Sequence, residues 1–322
     1  MTQKRSAVAL ACCAALAAGA AVAQEYPARA VRMVISFPPG GGSDLVARVL
    51  AQKLTAALGQ TVVTDNRPGA SGNIAAEIAA RAPADGYTVL FTNSSLSISP
   101  ALYRKLSFDP VADLVPISMV SSYPFVLTVH PSLPVKNVKD FVALAKAKPD
   151  ALGYSSAGAG TMSHLAMELM RLRTGIKVTH LPYKGAGPAT VGLMSGEAQC
   201  SFIVMPTAQA QINAGKLRGL GVAAPTRSPV IPNVPTMAEA GVANNEAIQW
   251  NGLFAPARTP AAILDRLYRE TVKAVAMPEV KERFAAEGAD PVGSSPAEFS
   301  AFFKTEAKKW SEVATKSGTK LD

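Results

Sequence analysis

The sequence predicts an α/β fold built as two domains, and three observations carry that reading. The chain has 322 residues, 48% apolar and 17% charged, too apolar for a disordered chain and, at roughly 100 to 200 residues per domain, long enough for two cores. Short β-branched runs alternate with patterns of helical period, the mark of helices crossing between buried strands. Glycine-rich segments fall at the strand-to-helix joins, where the backbone must turn sharply.

The elements follow in order. Val31–Ile35 predicts a first strand, and Leu45, Val46, Val49, Leu50, Leu54 and Leu58 fall on one helical stripe that Gly59 ends. The order repeats with a strand over 61–64, a helix from about Asn73 and a strand over 88–91. Two adjacent apolar runs come next, at 115–120 and 125–129. Then a helix over 138–146, a strand around Tyr154, a helix after Thr161, a strand over 178–181 and a helix near 189–194 are predicted. Cys200–Val204 reads as a strand, a helix reaches Ala214, and 217–222 reads as another strand. This alternation predicts largely parallel sheets. The tail differs: Ile263, Leu264, Leu267, Val272 and Val275, then Phe299, Phe302, Phe303, Glu306, Trp310 and Val313, repeat at helical spacing with no strand between. Pro260 and Pro296 suit first turns, Pro278 separates two helical segments, and Trp310 is expected to anchor the core-facing stripe.

Lys4 and Arg5 precede an alanine-rich run ending in Ala21-Val22-Ala23, which predicts a cleavable export signal over residues 1–23 and an exported protein beginning at Gln24. A lipid anchor on Cys12 or Cys13 is disfavoured, because both lie inside the apolar run. Loss of this segment removes two of 32 basic residues and none of 23 acidic ones, so the net charge falls from +9 to +7. It leaves Cys200 alone, which excludes an intrachain disulfide. His130, His164 and His180 lack metal-site spacing, and neither a metal nor any other cofactor is expected. The basic residues are interleaved with acids, as in Lys281-Glu282-Arg283, so they read as solvated helix faces, and nucleic acid is not an expected partner. A mild positive field suits small anions.

The most informative segment is Phe37-Pro38-Pro39-Gly40-Gly41-Gly42-Ser43-Asp44, which leaves a strand and enters a helix. Its glycines let a ligand approach the backbone, and the helix start offers unpaired amides that the Ser43 hydroxyl can extend. It has neither the Lys-Ser/Thr ending of a P-loop nor dinucleotide glycine spacing. The plainer reading is that Ser43 caps the helix, Asp44 complements its dipole and the prolines merely turn. A second turn of the same type, Tyr154-Ser155-Ser156-Ala157-Gly158-Ala159-Gly160-Thr161, shifts the balance. Ligands of α/β proteins sit off the carboxyl ends of strands, so the two turns are expected to face each other across a cleft. Asn93-Ser94-Ser95 is a weaker third element. An exported hydrolase is the lesser alternative. Ser163 and His164, adjacent on a helix, point about 100° apart and cannot act as nucleophile and base. Gly69-Ala70-Ser71-Gly72-Asn73 breaks the G-x-S-x-G elbow. His164 is expected to pair with Glu168 one turn on, and His130 and His180 to be structural.

Further blocks extend the pattern: Tyr26-Pro27, Asn66-Arg67-Pro68-Gly69, Asp85-Gly86-Tyr87-Thr88, Ser163-His164-Leu165, Pro182-Tyr183-Lys184-Gly185, Ala214-Gly215-Lys216-Leu217-Arg218, Val234-Pro235-Thr236 and Glu239-Ala240-Gly241. In this ordered succession the chain resembles the extracytoplasmic receptors of tripartite tricarboxylate transporters, the Bug receptor family. The resemblance implies a type II periplasmic binding protein with two α/β lobes joined by two crossover strands, one lobe over 24–122 plus 250–322 and the other over 123–249. It implies a monomer that closes on a small carboxylate and delivers it to membrane permease subunits. A sensor that touches a signalling ectodomain would use the same cleft. The implied ligand contacts are Phe37, Gly40, Gly41, Gly42, Ser43, Asp44, Ser94, Ser156, Ala157, Gly158, Gly160 and Thr161. The chain departs from the family where members commonly carry Asp-Asn and it has Ile203 and Val204. If these two line the cleft, an apolar or aromatic body bearing one or two carboxylates is favoured over an amino acid or citrate; packing beneath the cleft is the alternative. Asn73, Leu96 and Asn251 are further selectivity candidates.

Overall fold

In the computed structural model, which describes residues 26–40, 42–103, 105–286 and 289–319, the first apolar run is strand β1 (Val31–Ile35) and the stripe after it is helix α1 (Gly42–Leu58). The predicted export segment and Gly41 lie outside the described residues. Val46, Leu50, Leu54 and Leu58 bury the α1 stripe, and Gly59 at φ +69° ends it in the left-handed region. There follow β2 (Val62–Asn66), α2 (Asn73–Ala80), β3 (Thr88–Asn93) and α3 (Ser95–Leu102). The two adjacent apolar runs form one long strand, β4 (Leu114–Val129). Then come α4 (Val138–Ala147), β5 (Gly153–Ser156), α5 (Met162–Thr174), β6 (Thr179–Pro182), α6 (Ala186–Met194), β7 (Cys200–Val204), α7 (Met205–Asn213) and β8 (Arg218–Val222). The chain returns through β9 (Ile248–Pro256) to α8 (Ala261–Ala276), α9 (Pro278–Ala286), β10 (Asp290–Pro291) and α10 (Pro296–Ser317).

Strand order is β2-β1-β3-β9-β4-β7-β5-β6, with β8 and β10 also paired to β4. β1 is parallel to β2 and β3, and β5 is parallel to β6 and β7. Every pairing of β4 and β9 is antiparallel. The expectation of largely parallel sheets therefore holds for the strands that alternate with helices, β1 with β2 and β3 and β5 with β6 and β7, and fails at β4 and β9, which run antiparallel to their neighbours in both lobes as β4 carries the chain out and β9 carries it back. The changeover is sharp: Pro124 pairs with Ile248 of β9, and Phe125 pairs with Val204 of β7. Two α/β lobes joined by two crossover strands result.

α3 is the helix that sequence periodicity does not announce. It is serine-rich and contains Pro100, yet Ser97 and Ser99 turn their hydroxyls onto the carbonyls of Ser94 and Ser95, which satisfies them within the helix.

One core gathers Met33, Ile35, Leu50, Phe91 and Leu253 with tail residues Leu267 and Phe284. Another gathers Phe125, Phe141, Tyr154, Leu165, Met170 and Phe202. Helix α10 reaches two clusters. Its Phe299 and Phe303 rings stand edge-on to Trp250 at 5.3 and 5.9 Å, whereas its Trp310, Val313 and Ala314 pack into the core that holds α5. Trp310 is fully buried and donates to Glu306 Oε2 at 2.7 Å, and Lys309 pairs with the same carboxylate. The aromatic cluster leaves no space at Gly252 of β9, where a Cβ would lie 2.3 Å from Phe299 Cζ. Gly252→Ala is expected to cost about 1 to 3 kcal/mol by overpacking. Urea denaturation should show a lower midpoint with an unchanged slope; an unchanged midpoint would mean that Phe299 yields freely.

Candidate functional site: a cleft ringed by helix N-termini

A cavity of about 560 Å³ lies between the lobes, and five strand-to-helix joins open onto it. Gly42 and Ser43 stand at the β1–α1 join, Ser95 at β3–α3, Thr161 and Met162 at β5–α5, Ala186 at β6–α6, and Pro206 at β7–α7. Each helix start presents backbone amides without intrahelical acceptors and a partial positive charge. Among the described residues that line the cavity, none carries a charged side chain. Tyr123 and Gln249, cross-strand partners in the β4–β9 pairing, reach it from the two crossover strands.

The β1–α1 turn is braced from behind. Asp44 is buried and faces back into the turn, accepting from Gly40 N at 2.9 Å, Arg48 Nε at 2.9 Å and Asn66 Nδ2 at 2.7 Å. Burial pushes its carboxyl up, but the bonds from Arg48, Asn66 and Gly40 outweigh that and hold it below the usual carboxylate range. Phe37 is half-buried against the lobe core, and its carbonyl accepts from Asn66 Nδ2. Gly40 sits at φ +85°, exposed. The Ser43 hydroxyl donates to Asn251 Oδ1 at 2.8 Å, and Asn251 Nδ2 donates to Ser121 Oγ at 3.0 Å. Tyr123 contacts the same pair; burial raises its phenol, and Ser43 and Asn251 pull it partly back. Ser94 is buried and donates to Gln249 Oε1 at 3.0 Å. Of the residues expected at this turn, Gly42 and Ser43 line the cavity, Phe37, Gly40 and Asp44 are not among the lining residues, and neither is Ser94 at the β3–α3 join.

The β5–α5 turn is built similarly. Gly158 at φ +132° and Gly160 at φ +73° adopt conformations that a side chain would strain. Ala157 N donates to Ser163 Oγ at 3.0 Å, Gly158 N to Ser156 Oγ at 3.2 Å, Gly160 N to His164 Nδ1 at 3.0 Å, and Thr161 Oγ1 to Gly158 O at 2.7 Å. Ala157, Thr161, Met162 and Ser163 line the cavity, whereas Ser156 is wholly buried behind it. Several amides expected to face a ligand thus brace the turn, leaving the first turn of α5 and the Thr161 side chain at the cavity edge. His164 does lie beside Glu168, at 3.7 Å, but Glu168 is bonded to Arg171 at 2.7 Å and to the Tyr154 hydroxyl at 2.7 Å.

Ile203 and Val204 both line the cavity, together with Phe125 and Phe202. Among the residues that sequence reasoning missed are Ala186, Thr207, Tyr123 and Gln249. The Lys184-Gly185-Ala186 join carried a legible signal, a glycine at φ +115° between strand and helix. Tyr123 and Gln249 carried none, because only the pairing of β4 with β9 brings them together. Asn251 stands one bond behind the cleft through Ser43, and neither Asn73 nor Leu96 is among the lining residues.

Residues 46–319 match the tripartite tricarboxylate transporter family receptor. The protein BugT of Bordetella pertussis is 39% identical over 301 residues, covering 93% of this chain and 92% of that one. The solved structure of Rpa4515 from R. palustris with adipate is 34% identical, with a TM-score of 0.79 over 92% of this chain and 100% of that one. MatC from Rhodopseudomonas palustris with bound malate is 30% identical, with a TM-score of 0.76 over 89% of this chain and 99% of that one. With the family match running over most of its length and a relative 39% identical over 93% of it, the chain belongs to the tripartite tricarboxylate transporter receptor family of solute-binding proteins.

Proposed function

We propose that this protein is a periplasmic receptor that closes two lobes on a small carboxylate with an apolar or aromatic body and delivers it to the membrane subunits of a tripartite tricarboxylate transporter. The observation that carries the reading is the cavity itself, ringed by five helix starts, free of charged side chains among its described lining residues, and walled on one side by Phe125, Phe202, Ile203 and Val204. Oriented amides suit an anion, and the wall suits hydrocarbon. A ligand ammonium finds no carboxylate among those described lining residues. The adipate and malate held by two solved relatives support the carboxylate class.

Magnitudes favour closure. One helix start contributes about 0.3 to 1 kcal/mol to an anion, whereas micromolar affinity requires about 8.2 kcal/mol. Charge-assisted hydrogen bonds of about 1.5 to 3 kcal/mol each, made from both lobes around a desolvated ligand, reach that figure after ordering costs. In this reading Gly42, Ser43, Ala157, Thr161, Ile203 and Val204 form the contact set, and Phe37, Gly40, Asp44, Ser94, Ser156, Gly158 and Gly160 hold the turns; Gly41 lies between these groups outside the described residues. The lobes divide as 24–122 plus 250–322 and 123–249, supported by the switch of β4 partners after Pro124. Export rests on residues 1–23, and no helix among the described residues is long and apolar enough to cross a membrane.

The protein is a receptor without catalysis. Ser156 Oγ and His180 Nε2 are 2.6 Å apart, within reach of a nucleophile and base. Ser156, however, is wholly buried and is not among the lining residues, and burial, together with the neighbouring His164, pushes His180 down to about 4. A base so weak, beside a nucleophile the cavity does not touch, is unsuited to hydrolysis.

A thermal-shift screen of adipate, malate, benzoate and phenylacetate is expected to give at least one carboxylate that stabilises the protein by about 2.7 kcal/mol at 100 times its dissociation constant; no shift with any carboxylate would overturn the assignment. Val204→Asp sets a negative charge at the cavity wall and is expected to weaken the best carboxylate at least tenfold, about 1.4 kcal/mol, with little change in melting temperature without ligand. Calorimetry showing equal affinity would move Val204 out of the contact set.

A further inference from the structure

Three rings are stacked behind the β5–α5 turn. His164 of α5 and His180 of β6 lie with centroids 4.0 Å apart and planes 2° from parallel, and Tyr154 of β5 covers His180 at 4.8 Å and 16°. Both imidazoles are bonded to the turn. Gly160 N donates to His164 Nδ1 at 3.0 Å, and His180 Nε2 meets the Ser156 hydroxyl at 2.6 Å, whose oxygen also accepts from Gly158 N at 3.2 Å.

The first of these bonds fixes the chemistry of His164. An amide N–H can only donate, so Nδ1 must be the unprotonated nitrogen and the ring proton must sit on Nε2. Glu168 faces that nitrogen at 3.7 Å but is engaged by Arg171 Nη1 at 2.7 and 2.8 Å and by the Tyr154 hydroxyl at 2.7 Å. The other titratable group near the stack is Cys200 of β7, whose thiol burial pushes up and keeps protonated. The rings therefore have one engaged carboxylate, one guanidinium, a phenol and a thiol around them. Burial lowers both imidazoles below their usual range, His180 to about 4, with His164 adding to that shift.

The same staple closes the opposite turn. There Asp44 accepts from Gly40 N, again four residues earlier, and its charge is met by Arg48. His164 performs that task with a neutral ring, so its grip depends on the ring staying unprotonated.

We propose that His164 and His180 are positioning residues for the ligand site, His164 locking the β5–α5 turn through Gly160 in its neutral form and His180 backing it while bonded to Ser156, and that protonation of His164 within the stacked pair unlocks the turn. The lock itself stands on the geometry; its effect on a carboxylate rests on the receptor function proposed above. A proton on Nδ1 removes the acceptor of the Gly160 amide and sets a positive charge 4.0 Å from the second ring. Unfolded histidine takes its proton near pH 6.5. Because the folded values are lowered, the pair's contribution is complete above about pH 6.5 and is lost as the pH falls toward about 4.

The test compares the wild type with His164→Asn, whose Oδ1 can accept from Gly160 without titrating, and with His164→Ala, which removes the acceptor. Without carboxylate, the Gly160 amide resonance is expected to follow the His164 ring titration between pH 7.5 and 4.0 in the wild type and to stay flat in His164→Asn. Its hydrogen exchange should quicken at least tenfold in His164→Ala. With adipate as the probe, wild-type affinity should fall at least threefold more than that of His164→Asn between those pH values, a comparison that cancels adipate's own protonation. At pH 7.5, His164→Asn should restore to within a few-fold what His164→Ala loses. A Gly160 amide indifferent to the ring titration, or equal pH profiles for wild type and His164→Asn, would overturn the lock. If adipate binds none of the proteins, the loss falls on adipate as a ligand and on the receptor function, and the Gly160 titration still decides the lock.

Discussion

A cleft whose described lining residues carry no cationic side chain has aligned peptide dipoles with which to hold an anion, and for the receptor function proposed above that constraint governs how the surrounding structure is arranged. A single helix start is weak, so several have to converge. Convergence requires strands that end together, which the parallel pairings of β1 with β3 and of β5 with β6 and β7 achieve within each lobe. Bringing the two sets face to face requires a crossing, and the antiparallel pair β4 and β9 makes it. Tyr123 and Gln249 meet the cavity because they sit opposite each other on that pair.

Aligned amides are useful only if they stay put. At both glycine turns a side chain four residues on reaches back to an amide: Asp44 to Gly40 and His164 to Gly160. The glycines make the turns sterically possible, and these bonds remove the freedom that the glycines introduce. The first staple is anionic and needs Arg48 and Asn66 to offset its charge; the second is neutral and needs a buried ring. Much of the polar chemistry near the cleft is thus committed to shape, which explains why Asp44 and Ser156, conspicuous in the sequence, do not line the cavity.

Helix α10 links the crossing to the packing. Its first half surrounds Trp250 at the head of β9 with Phe299 and Phe303, and its second half enters the core of α5 through Trp310. A movement of one lobe against the other must therefore be accommodated along this helix as well as in β4 and β9. Gly252, with no room for a methyl beside Phe299, shows how closely the helix is seated on the crossover strand.

Periodicity alone located most strands and helices, since burial of Leu50 and Leu54 on one face, or of Cys200–Val204 on both, writes itself into residue spacing. The turn glycines Gly40, Gly158 and Gly160 were equally legible, because left-handed backbone calls for glycine wherever it occurs. β9 and α3 were not legible. β9 mixes Gln249, Asn251 and Gly252 with apolar residues because its burial comes from neighbours on both sides, and α3 satisfies its serines internally against the propensity of its composition. The chain's local pattern determined the α/β class, the strand-to-helix joins and the apolar pair at 203–204. Tertiary structure alone decided which joins meet, which way Asp44 turns, and that His164 stacks on His180, for these depend on contacts between residues far apart in sequence whose partners no local spacing can specify.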